Sequence, residues 1–265
     1  MTSINLQQLP FVTDDGFGQR ARIGLVVLEN DQTVEAELSS LWPDGVAAFA
    51  TRIPMEDRVT AETLRAMEAR IPEAAALLPG LMGFDVIGYG CTSAATLIGE
   101  DRVSAAIRRA HPDVPNTNPI TAVLAAMAAL GAVRVAVVTP YNAEVTGGIV
   151  DLLTSRGLEV VAAGSFLEES DANVARITEA SVADAVRGLV ASADASPDRR
   201  VDAVFVSCTS LRAYGIAGAL EAELGVAVVS SNLAFGWHLL RLAGIDDAIN
   251  GMGRLFTLGL GMDPR

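Results

Sequence analysis

Two ten-residue stretches, FDVIGYGCTS over 84–93 and VDAVFVSCTS over 201–210, share one plan: an Asp, an apolar run, then Cys-Thr-Ser beginning six positions after the Asp. The copies lie 117 positions apart. A repeat in this register implies two similar βα units, each closing a strand on a cysteine and opening the next turn with Thr and Ser. Cys91 and Cys208 then sit at strand C-termini, where open α/β sheets bind their ligands.

The rest of the chain keeps the same rhythm. Short Val- and Ile-rich runs predict strands over 23–28, 86–89, 133–139, 158–162, 201–206 and 226–229. Most lack strict alternation, as parallel strands covered on both faces do. Helical spacing fills 61–77, 94–110, 121–130, 143–155, 181–191, 211–224 and 233–243, and Gly131, Gly157, Gly225 and Gly244 follow four of these segments where a left-handed C′ residue is wanted. Strands alternating with helices imply an α/β fold with parallel sheets and right-handed crossovers. Residues 1–20 show no clear period and are expected to form an arm on the surface or on a neighbouring subunit. The Pro- and Asn-rich stretch 111–121 interrupts the rhythm and is a candidate hinge, and 194–200 reads as a surface loop.

The position suits thiol chemistry. Backbone N–H groups and the dipole at a helix N-terminus lower a thiol pKa and favour the thiolate that acts as base or nucleophile. Thr92, Ser93, Thr209 and Ser210 add hydroxyls and amides that could hold a substrate carboxylate or an enolate. The alternative is that each cysteine is a small buried hydrophobe, and the repeated context argues against this for the pair. No metal is expected, because the only histidines are His111, followed by Pro112, and His238, inside a helical stretch, with no Cys or carboxylate at ligand spacing. No P-loop and no strand-linked Gly-x-Gly-x-x-Gly is present, so no nucleotide or nicotinamide cofactor is expected.

With 32 acidic against 19 basic side chains the formal net charge is −13, which repels nucleic acid and anionic lipid surfaces. No apolar run is long enough to span a membrane, and the N-terminus lacks the pattern of a signal peptide. A cytoplasmic protein with reduced cysteines is expected.

At these residues the chain resembles the aspartate/glutamate racemase superfamily, and within it the group of maleate cis-trans isomerases, arylmalonate decarboxylases and ectoine-utilisation protein A. The pieces that carry the resemblance are VVLENDQTVEAE, YGCTSAA, NPITAVLAAM, VVTPYNAEV, SCTSLRAY and SSNLAFGWHLLRLAG. It implies two Rossmann-like lobes with short parallel sheets related by a pseudo-twofold, residues 1–116 plus 231–265 forming one and 117–230 the other. The substrate lies in the cleft between them, without metal or organic cofactor. Racemases of this kind place one thiol on each face of the substrate carbon, and the isomerases are thought to add a Cys to the double bond. Carried over, Cys91 is nucleophile or base and Cys208 the acid opposite. Tyr141 matches a tyrosine that contacts a substrate carboxylate, against the alternative of a loop aromatic packing over the second lobe. Asn173 matches a further polar ligand.

One departure bears on the substrate. Where maleate isomerases carry Ser-Asn-Thr with a carboxylate-binding asparagine, this chain has Asp31, which would repel a dicarboxylate and could pair with an amino or amidinium group. Asp31 could equally cap the helix that follows, or do both. The LENDQTVE version resembles the ectoine-utilisation branch. The decarboxylases keep the second cysteine and replace the first with Gly, whereas this sequence has both. The expectation is therefore a cofactor-independent isomerase or racemase acting on a small carboxylate or amino-acid-like substrate, as a homodimer or higher homo-oligomer. Two rivals stay open: a lyase using Cys208 as proton donor, and a two-lobed small-ligand-binding protein. Arg52 could meet a carboxylate, although a salt-bridged surface arginine is the commoner case.

Overall fold

The computed structural model describes residues 6–56, 58–195 and 200–261; the first five residues of the N-terminal arm and most of the 194–200 loop lie outside them. The first half runs β1 (Ala21–Leu28), α1 (Val34–Ser39), β2 (Val46–Ile53), α2 (Ala61–Ala66), α3 (Ile71–Ala76), β3 (Val86–Gly90), α4 (Thr92–Ile98), α5 (Glu100–Arg108) and β4 (Asn116–Thr117). The second continues with α6 (Pro119–Leu130), β5 (Arg134–Thr139), α7 (Ala143–Ser155), β6 (Glu159–Ser165), α8 (Asp171–Val174), α9 (Glu179–Asp194), β7 (Ala203–Val206), α10 (Tyr214–Leu224), β8 (Ala227–Ser230) and α11 (Ser231–Leu242).

The strands make two four-stranded parallel sheets, ordered β2-β1-β3-β4 and β6-β5-β7-β8. The orders correspond strand for strand, so the ten-residue repeat is one visible part of a repeated sheet. In both sheets the two inner strands are almost wholly buried, as β1, β3, β5 and β7 all are. Their Val and Ile side chains pack on helices from both faces, which is why these runs read as continuous rather than alternating. The outer strands β2 and β6 are half exposed.

Local chemistry sets the helix limits. The segment expected as one helix over 61–77 is split into α2, a 3-10 turn over Met67–Arg70, and α3, whose first turn carries Pro72, a residue without an N–H to continue the preceding helix. The expected 94–110 helix breaks at Gly99, whose φ of +100° belongs to neither α4 nor α5. Gly131 and Gly225 close α6 and α10 in the left-handed conformation, and Gly157 and Gly244 also take positive φ. Within 111–121, β4 pairs with β3 and Asn118 caps α6 by accepting from the Ile120 and Thr121 N–H groups, so this stretch carries the chain from the first sheet toward the second.

Several contacts bind the halves. Helix α11, from the C-terminal part of the chain, packs on α6, β3 and α1. Its Phe235 lies so close to β3 that a Cβ on Gly88 would come within 2.4 Å of the ring, a separation only glycine permits. The segment before α2 meets the segment before α8. Val59 N–H donates to the Glu169 carbonyl at 3.2 Å, Arg58 and Ser170 form an isolated antiparallel bridge, and the Arg58 guanidinium pairs with Glu169 at 2.6 Å. The arm residues Leu6, Leu9, Phe11, Val12 and Phe17 are exposed. Among the described residues no helix is long and apolar enough to cross a membrane.

Candidate active site

Both thiols are free and buried, each just past the end of an inner strand. Cys91 is the N-cap of α4: its Sγ accepts from the Ala94 N–H at 3.4 Å and lies 3.7 Å from Ser93 Oγ. Cys208 is built differently. No helix starts there, α10 beginning only at Tyr214 rather than at the expected 211, and Cys208 holds a φ of +140°, a region that residues with side chains rarely enter. Its N–H donates to Ser231 Oγ at 3.0 Å, and the same oxygen accepts from Thr92 Oγ1 at 2.8 Å. Thr209 Oγ1 reaches the Gly90 carbonyl at 3.5 Å, and Thr33 Oγ1 donates to the Ser210 carbonyl at 3.0 Å. One hydroxyl on α11 thus ties the two Cys-Thr-Ser turns together.

The surroundings govern ionisation. Burial pushes the Cys91 thiol up to about 11, assisted by Asp171 and Asp31, against the Ala94 N–H and the Ser93 hydroxyl, which favour the thiolate. Cys208 is raised further, first by burial and then by Asp171, with Tyr141 and the Ser210 N–H opposing and Asp31 adding to the rise. The expectation that helix N-termini would leave low-pKa thiols is therefore corrected: one thiol has a helix behind it, and desolvation outweighs that contribution. Tyr141 is buried, its hydroxyl group raised by burial and by both thiols, with Ser93 acting the other way.

Asp31 is both a cap and a site residue. Its Oδ1 accepts from the Thr33 and Val34 N–H groups, each at 2.8 Å, while Oδ2 is buried without a partner. Arg52, considered above as a carboxylate ligand, instead donates to the Leu28, Glu29 and Asp31 carbonyls and pairs with Glu35, which fixes the turn that carries Asp31. Asn173 is a correction: it is exposed, its amide donates to Glu168 at 3.3 Å, and the structure does not bring it to the thiols. Asp171, two residues earlier at the start of α8, faces inward. Burial raises its carboxyl to about 6, and Ser210 favours its ionised form although the Ser210 hydroxyl makes no hydrogen bond of regular geometry.

The residues brought together are Cys91, Ser93, Tyr141, Cys208, Ser210 and Asp31, while Thr92 and Thr209 hold the scaffold. Sequence reasoning passed over Asp171, Ser231 and Tyr89. The Tyr89 hydroxyl is fully buried without a partner and is raised by burial and by the adjacent Cys91. Residues i and i+2 of an extended segment share a face, so Tyr89 could have been found from Cys91 alone. Among the described residues no group of three or more His, Cys, Asp or Glu side chains is arranged to hold a metal ion.

A sequence profile of the arylmalonate decarboxylase family matches residues 23–256, nearly the whole of both sheets. The chain belongs to the arylmalonate decarboxylase family. The relatives of this chain include proteins of each activity. The arylmalonate decarboxylase of Bordetella bronchiseptica is 31% identical over 242 residues, covering 88% of this chain and 95% of that protein. The maleate isomerase of Pseudomonas putida is 26% identical over 254 residues, covering 90% and 98%. A solved maleate cis-trans isomerase of Nocardia farcinica, a Cys-to-Ser variant with a covalently bound succinylcysteine intermediate, superposes with a TM-score of 0.80 at 28% identity, covering 89% of this chain and 98% of that one. Within the arylmalonate decarboxylase family this chain is a maleate isomerase-like enzyme, with two cysteines at its two equivalent strand ends.

Proposed function

We propose that the enzyme isomerises or racemises a small carboxylate by opposed action of Cys91 and Cys208. The observation that carries this reading is a buried thiol at each of the two corresponding strand ends, with the Tyr141 hydroxyl acting on both. Cys91, the less strongly raised thiol, ionises first on substrate binding. In racemisation its thiolate takes a proton from the carbon beside the carboxylate and Cys208 gives one from the other face, so the protonation states exchange. In cis-trans isomerisation Cys91 sulfur adds to one alkene carbon while Cys208 protonates the next. Rotation about the new single bond, return of the proton to Cys208 and cleavage of the C–S bond then release the alkene and restore the Cys91 thiolate and the Cys208 thiol. The covalent succinylcysteine of the Nocardia farcinica relative supports the second route.

The finer reading is a cytoplasmic homo-oligomer of the ectoine-utilisation branch. LENDQTVE after the first strand supports the branch, two unpaired cysteines support a reducing compartment, and the exposed apolar arm supports association.

The test incubates the wild type and the Cys91→Ser and Cys208→Ser variants with maleate, aspartate, glutamate or 2,4-diaminobutyrate in D2O. Proton NMR then follows deuterium entry at the carbon beside the carboxylate together with cis-trans conversion. Loss of turnover in both variants supports the pair. Full turnover in Cys91→Ser favours the second reading, a decarboxylase-like lyase in which Cys208 alone protonates an enediolate, which the family membership and the proton held firmly by Cys208 make the natural competitor.

A further inference from the structure

Two buried carboxylates lie among the groups that act on the thiols, and neither has a counter-ion. Asp31 is 4% exposed and Asp171 6%, and each leaves its Oδ2 buried with no hydrogen-bond partner. Both act on Cys91 and on Cys208, and Asp31 also acts on Asp171, so the two acids and the two thiols form one electrostatic cluster. Among the described residues ten arginines pair with other acids, and Arg212, which has no ion pair, donates to the Arg176 and Ile177 carbonyls. The chain contains no lysine. Arg52 pairs with Glu35, Arg58 with Glu169, His111 bonds the Ala75 carbonyl and His238 the Thr117 hydroxyl. Among the described residues neither Asp31 nor Asp171 takes part in an ion pair.

Buried carboxylates with unused lone pairs are costly to maintain, and two in one cleft cost more than one. Capping explains half of Asp31, since Oδ1 serves the α1 N-terminus, and an asparagine would cap equally well. Capping leaves the charge, the free Oδ2 and all of Asp171 unexplained.

We propose that Asp31 and Asp171 together bind a cationic nitrogen of the substrate, an amino or amidinium group, so that the thiols act on an amino-acid-like carboxylate rather than a dicarboxylate. This assignment rests on the two-thiol reading above and gives it a substrate class. A cation between the acids also serves the chemistry. It cancels two negative charges that add to the effect of burial on the thiols, so binding itself favours the thiolate, whereas a dianion would hold the thiols protonated more firmly. Ser93 and Tyr141 remain as hydroxyl donors for the substrate carboxylate.

The test is calorimetric titration of the full chain near neutral pH with two probes, 2,4-diaminobutyrate and maleate, on wild type, Asp31→Asn, Asp171→Asn and the double variant. Asparagine keeps the shape and the capping oxygen, and thermal midpoints verify that each variant folds. The wild type is expected to bind 2,4-diaminobutyrate in preference to maleate. Each substitution should weaken the diamino acid by about tenfold or more, and the double variant should bind maleate more tightly than the wild type does. Tighter binding of maleate by the wild type, binding of neither probe, or a probe preference unmoved by the substitutions would each overturn the assignment. Deuterium exchange in the Cys91→Ser and Cys208→Ser variants is read separately. If exchange persists while the charge preference holds, the two-thiol reading falls and the cation site stands. If exchange is lost while the preference is flat, the cation site alone falls.

Discussion

The two Cys-Thr-Ser turns have the same sequence and the same place in matching sheets, yet their conformations differ. Cys91 is relaxed, capping a helix with ordinary backbone angles. Cys208 is strained, has no helix directly behind it, and is held by its N–H to a serine that belongs to α11. The neighbours differ in kind as well: Tyr89 and Ser93 beside Cys91, Tyr141 and Asp171 beside Cys208. A repeated sheet thus fixes where two reactive groups stand, and the non-repeated connections decide what each can do. The less raised thiol suits the first ionisation and the more raised one suits delivery of a proton.

The sharpest break in this comparison is chemical. Cys91→Ser and Cys208→Ser are each expected to lower turnover by about 10²- to 10⁴-fold, measured as deuterium exchange, because each removes one face of the reaction.

Next in size is a pH effect specific to the Cys208 side. The Asp171 carboxyl rises from 3.8 to about 6 on folding, so the folded state holds this proton more tightly than the unfolded chain does. That contribution to stability is complete below about 4 and is lost as pH climbs to about 6. Asp171→Asn removes the loss. Chemical denaturation should show the variant gaining on the order of 2–3 kcal/mol relative to wild type between those pH values and holding the gain above them. Glu37, raised by burial to about 7, has the same sign but is present in both proteins and cancels in the difference.

Smaller again is Ser231→Ala, which orphans the buried Cys208 N–H and the Thr92 hydroxyl and is expected to cost about 1–3 kcal/mol in denaturant titrations. Alkylation of Cys208 should accelerate more than that of Cys91, because the strained turn loses its anchor.

The finest probe is a pair of small substitutions at each thiol. At Cys208, Gly should be more stable than Ala by about 1 kcal/mol, since a positive φ suits glycine. At Cys91, with a φ of −145°, the order should reverse. Equal behaviour at both sites would erase the backbone distinction between the turns.

The same contrast between inner and connecting parts explains what the sequence made legible. The buried strands announced themselves, because a strand covered on both faces needs an unbroken apolar run. The two missed strands, β2 and β4, lie at the edges of the first sheet. VAAFATRI is rich in small residues and half exposed, and Asn116–Thr117 is two polar residues within a Pro-rich stretch; an edge strand has one neighbour and needs little apolar surface. In the site, both cysteines were readable from the repeat. Asp171 was not, because its role comes from the meeting of two distant segments rather than from any local pattern, and the nearby Asn173 offered a more familiar ligand type at the wrong position. Arg52, for which a salt-bridged surface position was the commoner reading, pairs with Glu35 and holds the turn that carries Asp31.

The seam between Arg58–Val59 and Glu169–Ser170 has a kinetic consequence. Beneath it, the cavity lined by Leu28, Met55, Val59, Leu64, Met67 and Cys91 has a volume of about 10 Å³, near the least that a single water needs. A carboxylic acid is larger than that space, so a molecule that reaches Cys91 from this side must part the seam first. With the seam closed, Cys91 is shut off from bulk water on this side, the condition under which a buried thiol keeps its proton until a substrate arrives.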